Sequence, residues 1–302
     1  MQGCLRLHSG VLYVGRHALT AEVASYDLDG RPLETRFRFR DEAVGRSSAD
    51  GLDVDADRRI WVADAAAHAV RCFTLFGVEV ARVGDADESE RDRKGSLGRP
   101  VDVRIVGSDD DTTVLVASAG RRRHALQVLH VASGRGRSLA PLGDPESRFE
   151  RIRGLDVCAG RIAVAEASAA RVQLFEGDPL GRVVFRSAFH VPEALGTPEA
   201  VALVGDGRVV VATSGKRSGL HVFHPGGEHL LTLAGSGAQR GGADLDAPSA
   251  VAIERGGAAD EADRTRRVAV LDRDGERVQV LSLDGRAFGE FPTLGAIGAG
   301  ER

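Results

Sequence analysis

A short apolar strand followed closely by a second, more apolar one recurs along the chain. The first three pairs are Leu5-Arg6-Leu7 with Val11-Leu12-Tyr13-Val14, Leu52-Asp53-Val54 with Ile60-Trp61-Val62-Ala63-Asp64, and Val101-Asp102-Val103 with Val114-Leu115-Val116-Ala117-Ser118. Three more follow: Leu155-Asp156-Val157 with Ile162-Ala163-Val164-Ala165-Glu166, Val201-Ala202-Leu203 with Val209-Val210-Val211-Ala212-Thr213, and Val251-Ala252-Ile253 with Val268-Ala269-Val270-Leu271-Asp272. The units start at 5, 52, 101, 155, 201 and 251, so their spacings are 47, 49, 54, 46 and 50 residues. Such a period marks stacked, similar units, because one unit alone cannot bury its apolar faces.

Each unit continues to a third strand, as in His68-Ala69-Val70-Arg71-Cys72-Phe73 and Arg171-Val172-Gln173-Leu174-Phe175. A fourth follows, as in Leu230-Leu231-Thr232-Leu233 and Phe288-Gly289-Glu290-Phe291. Turns such as Asp29-Gly30, Gly226-Gly227 and Asp284-Gly285 join the third strand to the fourth. These dipeptides supply the positive φ that tight hairpins need. No segment of useful length carries a helical period. The pattern therefore predicts an all-β chain, a six-bladed β-propeller with four antiparallel strands per blade. One domain is expected over residues 1–291, with 292–302 as a C-terminal tail. Unit one opens on its innermost strand and unit six ends near Phe291, so the ring is expected to close without exchanging a strand between the chain ends.

Composition narrows the function. The 302 residues are 42% hydrophobic and 28% charged, which suits a packed core rather than extended disorder. A formal net charge of -4 provides no global positive field for nucleic acid or an anionic membrane, so a nucleic-acid partner would need a local patch. No stretch approaches the ~20 apolar residues of a membrane span and the N-terminus lacks a signal-peptide core, so no membrane partner and a cytoplasmic location are expected. Cys4, Cys72 and Cys158 are widely spaced and read as reduced, small apolar side chains. Asparagine is absent, and only Lys94 and Lys216 accompany 38 arginines, a bias of the kind a GC-rich genome produces.

The segment from Trp61 to Phe73 and the unit starts Pro198-Glu199-Ala200-Val201-Ala202 and Pro248-Ser249-Ala250-Val251-Ala252 resemble NHL repeats. The resemblance runs from residue 1 to about 291, with unit one degenerate. The family's asparagine position holds Ala67, and its histidine is His68, matched after a two-residue insertion by His124. The resemblance implies a binding face built from the loops that enter each innermost strand and the loops between second and third strands. Candidate residues on that face are Arg16, His17, Asp64, His68, Arg121, Arg122, Arg123, His124, Glu166, Lys216, Arg217 and Asp272. Their mixed charges suit a protein or peptide partner better than a uniform phosphate track. The forks of Arg121 to Arg123 suit carboxylates or phosphates.

Aligning the innermost strands places Arg6, Asp53, Asp102, Asp156, Ala202 and Ala252 at one level. Asp53, Asp102 and Asp156 would then form an acidic arc beside Arg6. One reading is a site for a cation or a basic side chain. The other is structural, with each aspartate accepting hydrogen bonds from a neighbouring blade and Arg6 pairing with Asp53.

Six-bladed propellers also include metal-dependent lactonases and amidating lyases. The gluconolactonase ligand set includes asparagine, which this chain lacks. The nine histidines occupy no single equivalent channel position, and His221, His224 and His229 lie on either side of a strand end and a turn. No His-Glu-x-x-His, Gly-x-Ser-x-Gly or phosphate-binding loop occurs. No catalytic residue, metal or cofactor is expected, and the leading reading is a binding or scaffold module for a protein or peptide partner. Alternatives are a metal-dependent hydrolase or lyase with its site in the channel, and RNA binding through Arg121–Arg123. The second is poorly served by Tyr13, Tyr26 and Trp61, which sit within strands and offer no stacking platform.

Overall fold

The computed structural model describes residues 3–17, 20–84, 97–107, 112–119, 124–139, 149–215, 217–235, 244–255, 266–272 and 276–293. These residues form six antiparallel four-stranded sheets, each built from four consecutive strands. The innermost strands are β1 (Gly3–His8), β5 (Gly51–Val54), β9 (Pro100–Gly107), β13 (Ile152–Cys158), β17 (Thr197–Leu203) and β21 (Ala250–Ile253). Each lies beside the next around a central axis, and β21 lies beside β1. The chain is thus a six-bladed β-propeller. Blade 1 takes its strands from residues 3–39 and blade 6 its own from 250–292, so among the described residues side-chain packing closes the ring and no strand is exchanged. No helix among the described residues is long and apolar enough to cross a membrane.

Burial explains why the second strands read as continuous apolar runs. Ile60–Asp64 is buried at every position because blades cover both of its faces. The outermost strand Pro32–Phe39 has water on one side, and its buried residues Thr35, Phe37 and Phe39 alternate with exposed arginines. The buried apolar residues fall into six clusters, one at each interface between neighbouring blades. Among the described residues no blade has a core of its own.

Three interfaces share one device. An outer-strand phenylalanine (Phe37, Phe189 or Phe291) packs on a third-strand aromatic of the next blade, Phe73, Phe223 or Tyr26, at centroid distances of 5.2, 5.1 and 5.4 Å. Over each phenylalanine lies the hairpin turn of that next blade, with Gly77, Gly227 or Gly30 at φ of +82, +92 or +85°. A β-carbon on Gly77 would sit 2.5 Å from the Phe37 β-carbon, so the glycine serves close packing as well as turn geometry.

Candidate ligand site at the channel mouth

Several residues expected on the binding face are instead buried anchors. Asp64, Glu166 and Asp272 end the second strands of blades 2, 4 and 6 with no exposed surface. Asp64 accepts hydrogen bonds from the Ser48 and Ala67 amides at 2.9 and 3.1 Å and pairs with Arg71 at 3.2 Å. Glu166 accepts from the Glu150 amide, from Arg171 Nε at 2.9 Å and from Gln173 Nε2 at 2.6 Å. Asp272 accepts from the Ala247 amide at 2.8 Å and from Arg277 Nη2 at 2.7 Å. Each carboxylate ties down the chain segment that leads into its blade's innermost strand. In blade 5 Thr213 has this task, donating to the Leu195 carbonyl at 2.5 Å and lying 3.2 Å from His221 Nε2. A charged residue at a strand end looks like a surface residue in sequence. Here the neighbouring loop folds over it.

The channel arc also differs from the sequence alignment. Pairing sets Arg6, Asp53 and Asp156 opposite Tyr13, Trp61 and Ala163, whereas the residue opposite the corresponding Leu115 is Arg104. Asp102 lies one pleat nearer the top, opposite Ala117, with its α-carbon against Gly51 of blade 2. The level therefore reads Arg6, Asp53, Arg104, Asp156 around four blades, and charge alternates. The slip is one of strand register: β9 pairs with its neighbour two residues further along than the Leu-Asp-Val pattern implies, so Arg104 and not Asp102 reaches this level.

These side chains form a closed network. Arg6 Nε lies 2.7 Å from Asp53, Arg104 Nη1 lies 2.6 Å from Asp102, and Arg255 Nη2 lies 2.6 Å from Asp156. Asp156 also receives Arg6 at 3.3 Å and Arg104 at 3.2 Å. Asp53, Asp102 and Asp156 accept in addition from the Ile105, Leu155 and Leu203 amides of the following blade, at 2.9, 3.0 and 2.8 Å. Burial alone would raise the Asp156 pKa, yet Arg255, Arg104 and Arg6 hold it well below the usual carboxylate range. At Asp102 burial prevails over Arg104 and the pKa is raised. Among the described residues no group of three or more His, Cys, Asp and Glu side chains is placed to hold a metal ion.

Above this plug the channel opens on the top face as a cavity of about 130 Å³, with Asp50, Arg99, Arg151, Arg153, Glu199 and Ser249 in its wall. Bulges in three consecutive blades shape it, inserting Val101, Arg153 and Glu199 as the extra residues of β9, β13 and β17. Bulges re-aim side chains, and these turn toward the axis. Arg153 Nε donates to Glu199 at 2.6 Å, and Ser214 donates to the other carboxylate oxygen at 2.9 Å. Asp50 accepts from Ser48 Oγ at 2.5 Å and the Ala65 amide at 3.2 Å, and His17 Nε2 lies 3.5 Å from it. Burial raises the Asp50 pKa and lowers that of His17. Arg99 and Arg151 are exposed, and Arg151 holds a φ of +48°.

Of the other candidates, Arg16 and His17 are half-buried and Arg217 is exposed. His68, also half-buried, has a φ of +54° and its Nδ1 meets the Gly98 carbonyl. His124 begins the strand His124–His130, and its side chain lies outside what is described. Arg121, Arg122, Arg123, Lys216 and residues 294–302 of the tail lie outside the described residues. The sequence reading overlooked Asp50, Arg99, Arg151, Arg153, Glu199, Arg104 and Arg255. The one available signal was two arginines flanking Ile152 at the start of an innermost strand.

No family model matches the chain, and no curated protein matches it in sequence. Solved structures do match in fold. A chain from a nidogen/laminin complex superposes with a TM-score of 0.63 at 14% identity, covering 95% of each chain. Virginiamycin B lyase from Staphylococcus aureus matches with a TM-score of 0.56 at 12% identity, over 97% of this chain and 84% of that one. A gluconolactonase from Xanthomonas campestris matches at 0.55 and 15%, over 92% of this chain and 82% of the other. The likeness is one of fold, shared by binding proteins and enzymes alike.

Proposed function

We propose that this chain is a non-catalytic binding propeller of the NHL type, which engages a protein or peptide partner through its top face at the channel mouth. The observation that carries the reading is the plug. Arg6, Arg104 and Arg255 match Asp53, Asp102 and Asp156 in charge and contact. A cation entering the channel would have to displace guanidinium groups that also satisfy the carboxylates' geometry, at a high desolvation cost. What stays open to a partner is a shallow polar funnel with arginine at its rim, sized for one side chain and not for the drug-sized ligand of a typical pocket. The match to a chain from a nidogen/laminin complex agrees with use of this fold in protein recognition. Cytoplasmic residence agrees with the free thiols of Cys4, Cys72 and Cys158.

The test is selection from a random peptide library displayed on phage against the purified protein. Expected is a set of binders that lose affinity for the Arg99→Ala/Arg151→Ala variant and keep it for a bottom-face Asp206→Ala variant. Enrichment of no peptide, or of peptides indifferent to the mouth substitutions, would overturn the proposal.

A further inference from the structure

Resting on that reading of the top face, we infer that the channel mouth is a receptor for a carboxylate, carried by an acidic side chain or the C-terminus of the bound segment. The unused hydrogen-bonding capacity at the mouth lies with its arginines. Both acids in the wall are already engaged, Glu199 by Arg153 and Ser214, and Asp50 by Ser48, the Ala65 amide and His17. Arg99 and Arg151 line the same cavity from adjacent blades, and among the described residues neither side chain makes a hydrogen bond or an ion pair. The mouth therefore offers guanidinium donors and few acceptors, which selects an anion.

One feature selects a carboxylate over a phosphate, and two more fit its size and depth. Asp50 and Glu199 stand in the wall and repel a doubly charged group more strongly than a singly charged one. The cavity, at about 130 Å³, has room for a carboxylate and its stem. The plug beneath, where Arg104 is saturated by Asp102 at 2.6 Å and Asp156 at 3.2 Å, bars deeper entry and holds the head group at the level of the two rim arginines. Arg151 keeps its left-handed backbone while its carbonyl accepts from the Ala167 amide at 3.1 Å, so blade 4 fixes the stem of that side chain.

The experiment uses the tightest peptide from the phage selection, resynthesised with a fluorophore in four forms: native, amidated at the C-terminus, with Glu and Asp replaced by Gln and Asn, and with phosphoserine in place of one acid. Affinities come from fluorescence anisotropy against the full chain and the Arg99→Gln/Arg151→Gln variant. Circular dichroism verifies that the variant is folded, and Arg151→Lys serves as the conservative second variant. Removing the critical carboxylate should weaken binding by about tenfold or more, as expected for a lost charge-assisted bond. The same removal should cost nothing further in the double variant. Sensitivity to amidation assigns the C-terminus, and sensitivity to Gln or Asn assigns a side chain. A peptide that binds at the mouth yet ignores both changes, or prefers phosphoserine, refutes the carboxylate receptor while leaving peptide recognition standing. Failure to select any peptide removes both.

Discussion

His221 shows how one position in the repeat is tuned. The third strands of blades 3, 4 and 6 carry Gln127, Gln173 and Gln279 opposite a valine of the second strand, and blade 5 carries His221 in that place. His221 is 1% exposed and is held between Thr232 at 3.0 Å and Thr213 at 3.2 Å. Burial, reinforced by His229, pushes its pKa down to about 4. The folded state thus resists a proton that the unfolded chain accepts near pH 6.5. Stability should be unaffected by this group above about pH 6.5 and should fall as pH drops toward 4, at no more than about 1.4 kcal/mol per unit. His221→Gln, borrowing the residue of the sister blades, should flatten that part of the pH profile in thermal melts; an unchanged slope would place the acid sensitivity elsewhere. Asp156 is the second decisive residue. Asp156→Asn leaves Arg6, Arg104 and Arg255 converging on a neutral amide and should cost about 3–5 kcal/mol in denaturant unfolding. A loss below about 1 kcal/mol would mean that water compensates the guanidiniums.

At the scale of elements, the sequence exposes hairpin turns but not what they press against. Gly77 sits in a turn whose chemistry is readable, yet its contact with Phe37 joins positions 40 residues apart in different blades. Gly77→Ala meets two penalties, a φ of +82° and a collision with Phe37, and should destabilise by about 1–3 kcal/mol. Combining it with Phe37→Ala should give less than the sum of the single costs, because the second change removes the collision. Strictly additive losses would assign the whole penalty to the backbone. Strand register is the complementary case. Nothing in Val101-Asp102-Val103 distinguishes it from Leu52-Asp53-Val54, so aligning residue patterns equated Asp102 with Asp53. Hydrogen-bond register put Arg104 there instead.

For the whole molecule, six interface clusters mean that each blade depends on both neighbours, including the pair that meets where the chain begins and ends. Tyr26 and Phe291 close the ring much as Phe73 and Phe37 join blades 1 and 2, at 5.4 and 5.2 Å. Phe291→Ala should therefore cost about the same as Phe37→Ala, roughly 3–5 kcal/mol each, with unfolding still a single transition. A split transition in calorimetry would show the closing interface to be separately weak.

The amino-acid sequence by itself determined the class of fold, the number of blades and the strands in each. Those follow from local alternation, turn dipeptides and a count of repeats, all properties of neighbouring residues. Only the tertiary structure decided which charges are buried anchors, which form the plug and which stay exposed at the channel mouth. Asp64 and Arg151 are both charged residues beside strand ends. One is covered by a loop and the other faces the channel, and that difference depends on packing between segments far apart in the chain.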